Sequence, residues 1–116
     1  NMANTFKVIT KAGVTSADVI YTVAGSTTTV VLGLMVGNTT SGAITSSVTL
    51  GTDTANRAGA NNETNQDVEL ITSAAIPANS SLEFMGGNKI IMETTDTLTV
   101  TGSGAVDIAL SVMEIT

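Results

Sequence analysis

Residues 76–115 read IPANSSLEFMGGNKIIMETTDTLTVTGSGAVDIALSVMEI. In the closing run Val106, Ile108, Leu110 and Val112 fall on one side of an extended chain, and Asp107, Ala109 and Ser111 on the other. That period of two is the mark of a half-buried strand. The segments between such runs are Pro77-Ala78-Asn79, Gly86-Gly87-Asn88, Thr94-Thr95-Asp96 and Gly102-Ser103-Gly104. Pro fixes φ, and Gly and Asn tolerate positive φ, so each segment has the chemistry of a turn. The stretch therefore predicts strands over 81–85, 89–93, 97–101 and 106–115, with a hairpin at Gly86-Gly87-Asn88.

Working outward, the same reading gives strands over 6–10, 18–23, 28–36, 43–50 and 67–72. A turn is expected around Ala12-Gly13 and another at Ala24-Gly25-Ser26. In 18–23, strict alternation sets Ile20 and Thr22 against Val19, Tyr21 and Val23. In 28–36 it sets Val30, Leu32, Leu34 and Val36 against Val31, Gly33, Met35 and Gly37. Glycine on a strand face marks either the close approach of another backbone, from this chain or another subunit, or a β-bulge. In 43–50, Ile44, Val48 and Leu50 oppose Thr45, Ser47 and Thr49. Residues 51–66 hold almost no apolar residue besides Ala and read as one long polar loop, a place for partner contact or for disorder.

No window sustains a helical apolar stripe, and Thr and Val, which fit a pleated surface better than a helix, dominate. The expected fold is all-β: an antiparallel two-sheet β-sandwich, jelly-roll or immunoglobulin-like, without substantial helix and as a single domain over 2–116. Asn1 reads as an addition ahead of a start at Met2-Ala3, and the opening residues show no signal-peptide pattern. The apolar stretch 30–36 is far short of the about 20 residues that a helical membrane span needs, so no membrane partner is expected.

A chain of 116 residues with 42% hydrophobic residues can fill one core, but its aromatics are only Phe6, Tyr21 and Phe84. An aliphatic core that thin is commonly completed by a neighbour, so a homo-oligomer is expected, with a trimer as the first ring to consider. The net charge of -6, with Lys7, Lys11, Arg57 and Lys89 as the only cations, argues against a nucleic-acid partner, because binding phosphate backbones requires clustered positive charge. Charged residues are only 12% of the chain, and Thr, Ser and Asn replace them on the surface, which suits dense packing among like subunits.

The chain has neither His nor Cys. It therefore lacks the usual neutral-pH base, the commonest nitrogen ligand and the thiolate nucleophile. Glu69, Glu83, Glu93 and Asp96 are the carboxylates that an acid–base pair would draw on, but glycosidase-type chemistry normally brings aromatic platforms that are scarce here. Asp53, Asn56, Asn61, Asn62, Glu63, Asn65 and Asp67 offer Ca²⁺-type oxygen ligands without the regular Asp-x-Asp-x-Asp-Gly spacing, and an Asn-rich loop accounts for them. Asn38-Thr39-Thr40, Asn62-Glu63-Thr64 and Asn79-Ser80-Ser81 fit the N-glycosylation pattern, as chance allows in a chain of this composition. Gly86-Gly87 has no following Gly-Lys-Ser/Thr, so it is no phosphate loop. Glu83 and Lys89 flank the expected hairpin and would face each other across it. Met35, Met85, Met92 and Met113 read as core gap-fillers or as an adaptable contact surface. No catalytic, cofactor-binding or metal-binding residue is assigned, and no enzymatic activity is expected.

Three phrases together carry a family likeness: Met2-Ala3-Asn4-Thr5-Phe6-Lys7, Ile76-Pro77-Ala78-Asn79-Ser80-Ser81-Leu82 and Asp107-Ile108-Ala109-Leu110-Ser111-Val112-Met113-Glu114-Ile115. The chain resembles small virion structural proteins of tailed bacteriophages, particularly those of marine bacteria and cyanobacteria. The likeness covers most of the chain and is weaker over 51–66. Gly86-Gly87-Asn88-Lys89 and Glu93-Thr94-Thr95-Asp96-Thr97-Leu98 fall where that family places a hairpin and an acidic turn. The resemblance implies a non-enzymatic virion protein, a capsid-decorating protein or a tail or neck accessory, present in many copies as a homo-oligomer beside other virion proteins. The alternative is an adhesin-like or carbohydrate-binding sandwich that uses the 51–66 loop.

Overall fold

A computed structural model describes residues 3–53, 66–84 and 87–116. Among the described residues nine strands follow one another: β1 (Asn4–Val14), β2 (Asp18–Thr22), β3 (Thr28–Asn38), β4 (Ile44–Thr52), β5 (Gln66–Ile76), β6 (Ser81–Phe84), β7 (Ile90–Met92), β8 (Thr97–Gly102) and β9 (Val106–Ile115). No helix occurs among the described residues. Sheet A runs β1-β9-β3, with β6 and β7 sharing the far edge of β3, and sheet B runs β2-β8-β4-β5.

The pairing is nested. β4 pairs with β5, β3 with β6 and β7, β2 with β8, and β1 with β9, as in one long hairpin. Rolling that hairpin closes it through two further antiparallel contacts, β9 on β3 and β8 on β4. A rolled hairpin of two four-strand layers is the jelly-roll form of the β-sandwich, and this pairing excludes the immunoglobulin alternative.

The inward residues follow from alternation. Val106, Ile108, Leu110 and Val112 of β9, Leu98 and Val100 of β8, and Val48 and Leu50 of β4 are all buried. Each such side chain contributes about 1.5–3 kcal/mol on leaving water. Among the described residues the ladders shift register in several places, including β1 between Lys11 and Val14 and twice where β5 pairs Ser46 to Thr49 of β4; the shifts in β3 and β2 are the ones that overturn the faces assigned by alternation. The β3–β9 register shifts between Val31 and Gly33, so Thr29, Val31, Leu34 and Val36 are buried, whereas alternation had grouped Val30 and Leu32 with Leu34 and Val36. The bulge reading of Gly33 is thus correct. In β2 a shift between Val19 and Tyr21 turns Ile20 and Tyr21 inward together, although alternation had opposed them.

Other boundaries move as well. β1 continues through the expected turn at Ala12-Gly13. Gly13 adopts φ +68, available to Gly at little cost, and its N–H donates to Asp107 Oδ1 at 2.9 Å, so the strand bends without ending. β5 extends to Ile76, well past the expected limit at residue 72. Gly51, Thr52 and Gln66, placed in the long loop by composition, belong to strands; residues 54–65 lie outside the described residues.

The expected hairpin between β6 and β7 is corrected. Both strands run antiparallel to β3, β6 against Leu34 to Gly37 and β7 against Thr29 to Val31, so they lie in line and do not pair with each other. An eleven-residue β3 is long enough to seat both in tandem. Glu83 consequently stands opposite Met35 and not opposite Lys89. Gly86 itself lies outside the described residues.

Candidate interaction face

The carboxylates considered from sequence do not converge on one site. Glu69 stands opposite Thr49 on sheet B and Glu83 opposite Met35 on sheet A. Glu93 and Asp96 share the turn between β7 and β8, where the buried Asp96 carboxylate accepts from the backbone N–H groups of Glu93 and Asp53, both at 2.9 Å. Two acceptor oxygens used on backbone donors make Asp96 a brace that ties this turn to the end of β4.

Of the Ca²⁺-type set, Asp53 and Asp67 border a shallow cleft of about 280 Å³, and the others lie outside the described residues. No group of three or more acidic residues able to hold a metal occurs among the described residues. Asn38, the first residue of one glycosylation triplet, is buried. Its Nδ2 donates to the carbonyls of Gly42, Ile76 and Pro77, while its Oδ1 accepts from Thr40 N and Oγ1. That amide belongs to the fold. The methionines divide: Met92 is fully buried, whereas Met35 is exposed and Met113 half-buried; Met85 lies outside the described residues.

The two outer surfaces of the sandwich differ in chemistry. On sheet B the outward rows carry Thr97 with Gly51 and Asp67, Val19 with Thr99, Thr49 and Glu69, and Thr101 with Ser47. This is a hydroxyl-rich surface suited to water. On sheet A one register row reads Phe6–Met113–Val30–Ile91, apolar across all four strands. The next row is Val8–Ser111–Gly33, and beyond it come Ala109, Met35 and Glu83. Phe6 is 71% exposed, Val8 63%, Ile91 59% and Met35 42%, so most of the large exposed apolar side chains stand on this one face. Soluble monomers rarely leave so connected an apolar surface uncovered.

Gly33 shapes the face. A Cβ built there meets nothing within 4 Å, so no backbone of this chain presses on it. The consequence is a hollow, part of a groove of about 630 Å³ bounded also by Met35, Phe84, Asn88, Ala109 and Ser111.

The strand at 6–10 was legible in sequence, but its orientation was not. Phe6 and Val8 alternate with Lys7, which ordinarily reads as apolar side inward. The structure turns Phe6 and Val8 outward and sets Lys7, itself still exposed, in the row of the buried Val112. Because β1 is an edge strand, the lysine stems can run along the sandwich rim while their ammonium groups meet Glu114 at 2.7 Å and Asp18 at 3.6 Å, for Lys7 and Lys11 respectively.

Glu114 also joins the two sheets. Tyr21 of sheet B donates its hydroxyl to Glu114 Oε2 at 2.5 Å, and since its one proton is used there, it accepts from Thr29 Oγ1 at 2.7 Å. Burial first, and then the Glu114 contact, push the Tyr21 hydroxyl up from 10.0 to about 12. Hydrogen bonds from Lys7 and then Tyr21 hold Glu114 below its ordinary 4.5. The stability carried by neutral Tyr21 is therefore complete below pH 10.0 and is lost as the pH rises towards about 12. That carried by ionised Glu114 is complete above 4.5 and is lost as the pH falls through its lowered folded value. With one Tyr and no Trp in the chain, tyrosinate absorbance reads this site alone. The native midpoint is expected near 12 and the urea-unfolded midpoint near 10.0, with Glu114→Gln bringing the native value down. A native midpoint at the unfolded value would refute the clip.

No family model and no curated protein matches this sequence. Among solved structures, a chain from Bacillus endospore appendages, described as a novel family of disulfide-linked pili, is similar with a TM-score of 0.50 and 16% identity, over 98% of this chain and 86% of that one. At that identity the likeness concerns the fold, and it agrees with the two-sheet all-β architecture. The 116 residues contain no Cys, so they form no disulfide.

Proposed function

We propose that this chain is a non-enzymatic structural subunit that assembles in many copies on the capsid or tail of a tailed-bacteriophage virion. The observation that carries the structural-subunit part is the apolar outer face of sheet A, set on a sandwich whose other face is rich in Thr. Assembly would bury the one surface and leave the other in water. The virion location rests on the resemblance of the opening, the 76–82 and the 107–115 phrases to small phage structural proteins. Immunogold labelling of intact particles with an antibody against this chain is expected to decorate capsid or tail at regular intervals; unlabelled particles would refute the location.

A second reading, a subunit of a filamentous appendage, is favoured by the shared fold with the Bacillus pilus protein. The two separate on negative-stain images of the purified chain. Filaments growing without other virion proteins support the appendage, and discrete oligomers that bind only to particles support the virion.

A further inference from the structure

We propose that the outer face of sheet A seats a second copy of this chain, packed face to face across a two-fold axis that runs along β9. This rests on the reading above that the chain assembles with copies of itself, and it specifies the surface and the symmetry. A face that packs against itself does so only across a two-fold axis, whereas a three-fold ring needs two different patches. The pair therefore replaces the trimer expected from sequence.

The register supplies the fit. Rotation about an in-plane axis along β9 carries β1 of one copy over β3 of the other and keeps each row at its own height. Val8, Ser111 and Gly33 share a row, so Val8 of each copy lands on the hollow above Gly33 of its mate. Phe6 and Val30 share the next row with Met113, so Phe6 meets Val30 and the two Met113 side chains meet at the axis. Ridge and hollow lie at equal distances on either side of β9, which is the condition for self-complementarity.

The shared area is modest. With β9 on the axis, β1, β9 and β3 lie over their mates while β6 and β7 overhang, so three strands spaced about 4.8 Å apart and about 33 Å long share roughly 480 Å², below the roughly 800 Å² per partner of a standard interface and in the range of weaker pairs. Acidic groups are sparse on it. Glu83, on β6, overhangs the contact, whereas Asp107, on β9, faces its own copy across the axis at the end away from the Phe6 row, where its Oδ1 accepts from Gly13 N.

Sedimentation equilibrium is expected to give twice the 11.7 kDa chain mass. Gly33→Val fills open space and suits a strand, so it should leave the fold intact while blocking Val8; Phe6→Asp removes the ridge. Each is expected to weaken self-association on the order of a hundredfold, with Thr99→Asp on sheet B having no effect. In this Cys-free chain Ser111→Cys places a lone thiol at the axis, where a bis-maleimide spanning the about 10 Å between packed sheets should join two copies, and Thr99→Cys should not cross-link. A monomeric or trimeric mass, a dimer indifferent to both face variants, or no cross-link through Ser111→Cys would overturn the proposal. Unlabelled virions together with a dimer sensitive to the face variants would refute the virion location and leave this interface standing.

Discussion

Asn38→Asp is expected to destabilise the fold by about 3–5 kcal/mol at neutral pH, the cost of leaving a buried charge without a compensating partner. The native amide donates to three carbonyls, those of Gly42, Ile76 and Pro77, at 2.9, 3.0 and 3.1 Å. A carboxylate would point an anionic oxygen at the same three acceptors. The position joins the end of β3 to the turn before β4 and to the turn after β5, so the damage reaches both sheets. Asn38→Ala, which removes the donor without adding charge, should cost less, about 1–3 kcal/mol. Urea unfolding measures both. The aspartate variant should also recover part of its loss in acid, because a carboxyl raised in the folded state contributes stability that is complete below its unfolded value and lost as the pH rises. A loss under about 1 kcal/mol, or no recovery in acid, would contradict this account of the amide.

Leu110→Ala is expected to cost about 3–5 kcal/mol. Leu110 is fully buried on β9, the strand that holds β1 on one side and β3 on the other. Truncation leaves a cavity lined by residues fixed in two ladders, which limits the collapse that would relieve it. Thr99→Ser, on the outer face of sheet B, should stay within about 0.5 kcal/mol. The urea midpoints of the two variants compared with the parent test this directly. A Leu110→Ala loss no larger than that of Thr99→Ser would mean that β9 is not the centre of the core.

How far the sequence could be read depended on the kind of signal. The closing strand was legible to the residue, because Val106, Ile108, Leu110 and Val112 alternate without interruption and the ladder is regular there. The turn at Pro77-Ala78-Asn79 was legible because short-range chemistry specifies it, whereas at Thr94-Thr95-Asp96 only Asp96 is a typical turn residue and a β-branched Thr takes the left-handed position. Asn79 has φ +58 and Thr95 φ +74, and backbone bonds close both turns, Ser80 N to Pro77 O at 3.2 Å and Asp96 N to Glu93 O at 3.0 Å. Facing was misread at Ile20 and across Val30 to Leu34, since one extra residue in a ladder reverses parity for everything beyond it and carries no compositional mark of its own. The hairpin at Gly86-Gly87-Asn88 was misread for a different reason. Gly-rich connectors look alike whether the chain doubles back or continues along the same neighbour, and only the length of β3 determines which occurs.

The candidate face shows the same division. Gly33, Met35 and Gly37 were noticed as a Gly-marked strand face, and a neighbouring subunit was one of the explanations considered. Phe6, Val8 and Ile91 were not connected to it, because the row Phe6–Met113–Val30–Ile91 joins positions scattered from one end of the chain to the other. Its only sequence trace was the inverted pattern around Lys7, whose place in the row of the buried Val112 is sensible only once Glu114 is known to lie beside it.

By itself, the sequence determined an all-β sandwich, most of its strands, the specified turns and an aliphatic core with few charges around it, because these follow from local backbone preferences and from side-chain alternation over a few residues. Tertiary structure alone decided the jelly-roll pairing, the two inversions of strand facing, the Tyr21–Glu114–Lys7 clip and the concentration of apolar side chains on the outside of sheet A. Each of these depends on which distant residues share a ladder row or meet across the two sheets, and no local preference encodes that.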